Sequence, residues 1–149
     1  MHELSVPDLS GLEIDGRYIL ERRLRDGTRA SLYAATDKRL SSPVALKLLA
    51  PSLASYPEYR ERFQRQAELA RQLRHPHVCQ VLDFGSTSVE LEGAATVTSY
   101  LCLAFMDGGS LTDRLETGEP IDLRQAASGS FASPARSNSL IAAGWCTGI

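Results

Sequence analysis

Lys47 is the one cation in an otherwise apolar run, Val44-Ala45-Leu46-Lys47-Leu48-Leu49. A lysine so placed either snorkels from a strand edge or is kept to meet an anionic ligand, and the run alone allows both. Gly27, inside Arg25-Asp26-Gly27-Thr28-Arg29, could bring backbone amides close to an anion because no Cβ intrudes. An ordinary hairpin turn would use a glycine equally well. Asp83-Phe84-Gly85 and Asp107-Gly108-Gly109-Ser110 are two further strings with a carboxylate beside glycine. The three cysteines, Cys79, Cys102 and Cys146, are odd in number, far apart and without metal-ligand spacing.

The elements that must position these groups follow from local pattern. Residues 1–15 are turn-rich, with Pro7, Ser10 and Gly11, and read as a loose leader. Tyr18-Ile19-Leu20 and Leu32-Tyr33-Ala34-Ala35-Thr36 read as strands flanking the Gly27 turn. After a turn over 38–43, the Lys47 run reads as a mostly buried strand. Residues 57–74 form the strongest helix, with Phe63, Ala67, Ala70 and Leu73 on one apolar stripe. Pro57 suits its first turn, and His75-Pro76 stops it. Residues 78–85 are strand-like, 90–93 form a polar loop, and 96–105 is the longest strand candidate. Asp107-Gly108-Gly109-Ser110 breaks that strand, with Ser110 as N-cap of a short helix through Glu116.

Bulk properties exclude several function classes. Hydrophobic residues make up 43% and charged residues 23% of 149 residues, ordinary usage for one globular domain. A net charge of −2 gives no electrostatic footprint for nucleic acid or an anionic membrane. The first residues lack the cationic and apolar regions of a signal peptide, and no apolar run reaches membrane-span length. Cysteine usage fits a reduced compartment, so a cytoplasmic location is expected.

The order of these elements and several of their strings resemble the N-terminal lobe of Hanks-type, bacterial-style Ser/Thr protein kinases over residues 17–122. Leu24 to Asp37 matches the frame of the family's Gly-rich loop, with Gly27 kept, Arg25 and Ala30 at the other two glycine positions, and Leu32 at the usual valine. Val44-Ala45-Leu46-Lys47 is similar to the Val-Ala-Ile-Lys strand. The resemblance makes Lys47 the ligand of the α- and β-phosphates and Ala45 the small residue that roofs adenine. Arg62-Phe63-Gln64-Arg65-Gln66-Ala67 is similar to Arg-Phe-x-Arg-Glu-Ala and places Gln66 where the lysine's acidic partner stands. Glutamine supplies no compensating charge, and a neutral hydrogen bond is roughly half as strong as a charge-assisted one. Glu68, two positions on, points to another face of the helix. His75-Pro76-His77-Val78 resembles the turn after that helix. Asp83-Phe84-Gly85 precedes the hinge and is read as structural, not as the family's metal-binding Asp-Phe-Gly. In Tyr100 to Leu111, Leu103 takes the gatekeeper position, Ala104 to Met106 form the hinge whose backbone pairs with adenine, and Gly108-Gly109-Ser110-Leu111 enters the next helix.

The resemblance implies an α+β, protein-kinase-like N-lobe: a five-stranded antiparallel sheet with one αC-type helix, then the hinge, a short helix and an irregular tail. The domain layout expected is leader 1–15, N-lobe 16–106, hinge exit and first C-lobe helices 107–126, and a low-complexity tail 127–149. Leu24, Gly27, Leu32, Ala45, Lys47, Leu103, Ala104 and Met106 form the expected nucleotide site. The implied ligand is ATP, bound weakly or no longer bound, and the family's magnesium has no ligands here. No catalytic residue is assigned, because the family's His-Arg-Asp loop and its later Asp-Phe-Gly have no match. Protein substrates or partners follow from the family alone, with neither nucleic acid nor membrane among them. The alternative reading is a non-catalytic, pseudokinase-like interaction module.

All 18 acidic residues precede Ala126, and residues 126–149 carry one charge, Arg136. Such a tail is either natural low complexity or kinase coding sequence read out of frame. Gly144-Trp145-Cys146-Thr147-Gly148-Ile149 can be encoded GGG TGG TGC ACC GGG ATC, which in a shifted frame reads Val-Val-His-Arg-Asp.

Overall fold

The computed structural model describes residues 7–75, 78–106, 115–118 and 120, which fall into two bodies: 7–72 with 81–105, and the remainder. In the first body the chain runs β1 (Glu13–Ile14), β2 (Tyr18–Arg25), β3 (Ala30–Asp37), β4 (Ser42–Leu49), α1 (Pro51–Ala54), α2 (Pro57–Arg71), β5 (Val81–Leu91) and β6 (Ala94–Ala104). The strands form one six-stranded sheet in the order β1-β2-β3-β4-β6-β5, antiparallel throughout.

Tight turns with left-handed residues set the register. Asp15 and Gly16, at φ 54° and 63°, turn β1 into β2, with the Arg17 N–H donating to the Ile14 carbonyl at 3.1 Å. Glu92 and Gly93, at 52° and 80°, form the two-residue connection from β5 to β6. Paired positive φ values match the right-handed twist of a hairpin, which is why glycine stands second in each. The β5–β6 hairpin therefore runs unbroken to Leu91 and Ala94, further than the polar residues at 90–93 suggest.

Alternation sorts the sheet into two faces. On one, Tyr18, Leu20, Tyr33, Ala35, Val44, Leu46, Leu48, Val89, Tyr100 and Cys102 form the apolar core, closed by Leu9 and Ile14 from the N-terminal segment. Gly85 lies opposite Tyr100, and a Cβ there would stand 2.9 Å from the phenol oxygen, so the ring crosses the strand only over a glycine. Burial pushes the Cys102 thiol up to about 11, which suits an inert core cysteine.

The other face carries α2. Phe63 and Ala67 are its buried residues, and the helix packs on β5 and β6. Arg71 in its last turn lies 5.9 Å from the centre of the Phe84 ring, a cation–π contact that pins the helix end to β5. Glu58 in the first turn and Arg71 in the last complement the helix dipole. Arg60 donates to the Ala54 carbonyl and joins α2 to α1.

Three expectations are corrected. The sheet has six strands, not five, because Glu13–Ile14 pairs with β2 out of a stretch that shows no strand period. Helix α2 ends at Arg71, capped by Gln72, instead of at residue 74; Leu73 is exposed and the apolar stripe stops at half-buried Ala70. The strand expected at 78–85 starts at Val81. In the second body the Val78 N–H donates to the His75 carbonyl at 3.1 Å, closing a turn. Leu115 and Glu116, at the end of the short helix expected after Ser110, are helical, and the Gly118 N–H donates to the Leu115 carbonyl at 3.2 Å. Pro76, His77, the Gly108-Gly109-Ser110 turn, the start of that helix, the helix expected at 121–126 and the tail with its frame reading lie outside the described residues.

Candidate functional site

Strand β4 lies between β3 and β6, so each of its residues on the α2 face has a neighbour on both sides. Lys47 is registered with Leu32 on β3 and Leu101 on β6; Ala45 is registered with Ala34 and Leu103. Residues directly opposite one another point to the same face. Five of the residues expected together, Leu24, Leu32, Ala45, Lys47 and Leu103, thus share one side of the sheet. Ala34 and Leu101 belong to the same surface and carry no sequence signal, since each reads only as one more apolar strand residue. Ala45 at 8% and Leu103 at 7% exposure form a shallow apolar floor, and Lys47 beside it is half-buried.

Leu24 comes to this face through a bulge. The register passes from Arg23 opposite Tyr33 to Arg25 opposite Leu32, so two residues, Leu24 and Arg25, face one. Gly27 closes the hairpin tip: a Cβ there would sit 2.6 Å from the Ala30 carbonyl oxygen. The turn's own closure requires that glycine. Asp26 accepts from Ser31 Oγ at 3.1 Å and lies 3.6 Å from Arg23.

Ala104 is registered with Val44, which turns its side chain to the opposite face and leaves its backbone at the end of β6. Met106 belongs to the second body. Gln66 is half-buried on α2 and Glu68 is exposed. Among the described residues Lys47 takes part in no salt bridge, and no hydrogen bond joins it to Gln66.

The Asp83-Phe84-Gly85 string has another task. Arg17 donates from Nε and Nη2 to the two oxygens of buried Asp37, at 3.0 and 2.7 Å, and from Nη1 to Asp83 Oδ2 at 3.0 Å. Tyr18 Oη donates to the same Asp83 oxygen at 3.2 Å, and the Arg17 guanidinium stands 4.8 Å from the Tyr18 ring centre. Asp83 thereby links β5 to the start of β2 and the end of β3, and Phe84 and Gly85 make the Arg71 and Tyr100 contacts. The guanidinium holds the Asp37 carboxyl below its ordinary value. Among the described residues, no group of three His, Cys, Asp or Glu comes together to hold a metal. None of their helices is long and apolar enough to cross a membrane.

No family model matches the chain. It is 34% identical over 116 residues to the serine/threonine-protein kinase PknA of Mycobacterium tuberculosis, covering 78% of this chain and 26% of that protein. To a probable serine/threonine-protein kinase of Streptomyces coelicolor it is 33% identical over 108 residues, 72% of this chain and 16% of that one. PknB of Mycobacterium leprae is 34% identical over 113 residues, covering 76% of this chain and 18% of PknB. The chain therefore spans about a quarter or less of the length of these curated relatives. Among solved structures, the kinase domain of Mycobacterium tuberculosis PknI matches with a TM-score of 0.56 at 29% identity, over 80% of this chain and 44% of that domain.

Proposed function

This chain belongs to the bacterial Hanks-type Ser/Thr protein kinases, of which it holds an N-lobe-sized part, and on that premise we propose that its first body is an ATP-binding lobe. Adenine lies on Ala45 and Leu103 under Leu24 and Leu32, the backbone of residues 104 and 105 meets its edge, and Lys47 holds the phosphates. The observation that supports this is the shared register of Leu32, Lys47 and Leu101 with Ala34, Ala45 and Leu103. It sets a half-buried cation beside an apolar floor of Ala34, Ala45 and Leu103, a combination suited to a planar base carrying a polyanion. Titrating the purified 149-residue protein with a fluorescent ATP analogue tests it. Lys47→Ala is expected to weaken binding about tenfold through loss of one charge-assisted contact. No binding by the wild type, or equal binding by a folded Lys47→Ala, would sink the reading.

The family's reaction moves the ATP γ-phosphate to a protein hydroxyl and needs a base and magnesium ligands. These 149 residues contain no His-Arg-Asp string, and Asp83 is engaged by Arg17 and Tyr18. The 149-residue polypeptide with Mg-ATP is therefore expected to label neither itself nor a generic acceptor protein. Radiolabel incorporation above a no-protein control would overturn this.

Gln66 favours a second reading, a pseudokinase-like module that binds partners through α2, because the family's lysine partner is uncharged here. That reading gains if Lys47→Ala leaves nucleotide binding unchanged.

A further inference from the structure

We propose that Arg25 is a phosphate ligand of this lobe, replacing with a side-chain cation what the family takes from glycine amides. The inference rests on the ATP-lobe reading above and concerns how that site holds its polyanion.

The bulge at Leu24 decides where Arg25 points. In an unbroken strand Arg23 and Arg25 would share a face. Here Arg23 is opposite Tyr33, whose ring is in the core, while Arg25 is opposite Leu32, and Leu32 is opposite Lys47. An extra residue shifts the pleat by one and re-aims the side chain that follows. Arg25 and Lys47 thus stand on the same face with Leu32 between them, two strand spacings or roughly 10 Å apart at the backbone. Both side chains are long enough to converge over Leu32.

The hairpin tip holds its carboxylate away from this face. Asp26, the carboxylate of the tip, is held by Ser31 and Arg23. Ser31 is registered with Leu48 and Arg23 with Tyr33, both on the core side. The carboxylate that would repel a phosphate is drawn toward the opposite face. Gln66 in the family's acidic position removes a second negative charge from the neighbourhood of Lys47. Farther along β2, Glu21 and Arg22 also face this side opposite Ala34, with Glu21 Oε1 accepting from Thr36 Oγ1. The two cations that flank Leu32 are Arg25 and Lys47, and the planar fork of the guanidinium suits phosphate oxygens. The hairpin tip, closed by Gly27 against the Ala30 carbonyl, is then a mount for Arg25 more than a cradle of amides.

The test titrates the full chain, with metal chelated, with fluorescent adenosine and ATP analogues at two salt concentrations. Wild type, Lys47→Ala, Arg25→Gly and Arg25→Lys are compared. Arg25→Gly, which installs the family's residue, is expected to weaken ATP-analogue binding about tenfold and flatten its salt dependence, with adenosine binding unchanged. Arg25→Lys is expected to recover part of the loss. If the wild type binds neither ligand, the ATP-lobe reading itself falls. If Lys47→Ala weakens ATP binding while Arg25→Gly keeps wild-type affinity and salt dependence, this inference falls alone. Thermal melting checks each variant's fold, and Arg25→Gln serves if Arg25→Gly melts lower.

Discussion

Arg17→Ala should lower the unfolding free energy by about 3 kcal/mol at neutral pH, the low end for breaking a buried ion pair, because Arg17 keeps some exposure. The change strands the Asp37 side chain, which is 2% exposed and is left with the Arg39 N–H at 2.9 Å among its donors. It also removes one of the two side-chain donors to Asp83 Oδ2. The pH dependence tests the same network by another route. Arg17 first, and the Arg39 and Leu40 amides after it, depress the folded-state value of Asp37 below 3.8. A depressed carboxylate contributes stability that is complete above its unfolded value and lost as pH falls through the folded one. Asp37→Asn should therefore be less stable than wild type at pH 5 to 7, with the gap closing below about pH 4. Urea unfolding followed by circular dichroism across this range reads both effects. A gap that stayed constant down to pH 3 would mean that Asp37 is not held this way.

Ile14→Ala is the second large effect, again about 3 kcal/mol, within the range for truncating a fully buried aliphatic side chain. Ile14 is fully buried in the core beneath the sheet, and its strand partner is Tyr18. Leu9, five residues earlier, is buried beside it and donates its N–H to Tyr33 Oη at 3.1 Å. The segment before β2 thus closes the face away from Lys47. Leu40→Ala, at a position 68% exposed, is the control and should change stability by less than about 0.5 kcal/mol. Equal denaturation midpoints for the two variants would show that the N-terminal segment contributes nothing to the core.

Local signals made most of the first body legible. The apolar runs in 32–36 and 44–49, Pro57 opening a helix with a Phe63–Ala67 face, and the apolar run into Leu103 each report a nearest-neighbour preference that the tertiary structure keeps. Lys47 stood out for the same reason, as a charge among residues that want burial. Less of the site could be read. A strand's pattern says which residues alternate, not which residue of another strand lies opposite. Ala34 and Leu101 therefore gave no sign of sharing a surface with Lys47. Nor did two residues at 13–14 show that they pair, since a two-residue strand has no period.

The sequence by itself determined the kinase-type order of strands and helix, the cation on β4 and the absence of its usual acidic partner at Gln66. Each depends on residue type and spacing along one chain. Only the tertiary structure decided which charges share a face: it put Arg25 on the face of Lys47, drew Asp26 toward Arg23, and committed Asp83 to Arg17. Those outcomes hang on a one-residue bulge and on cross-strand register, which arise when separate strands pair and are written in no single stretch of the chain.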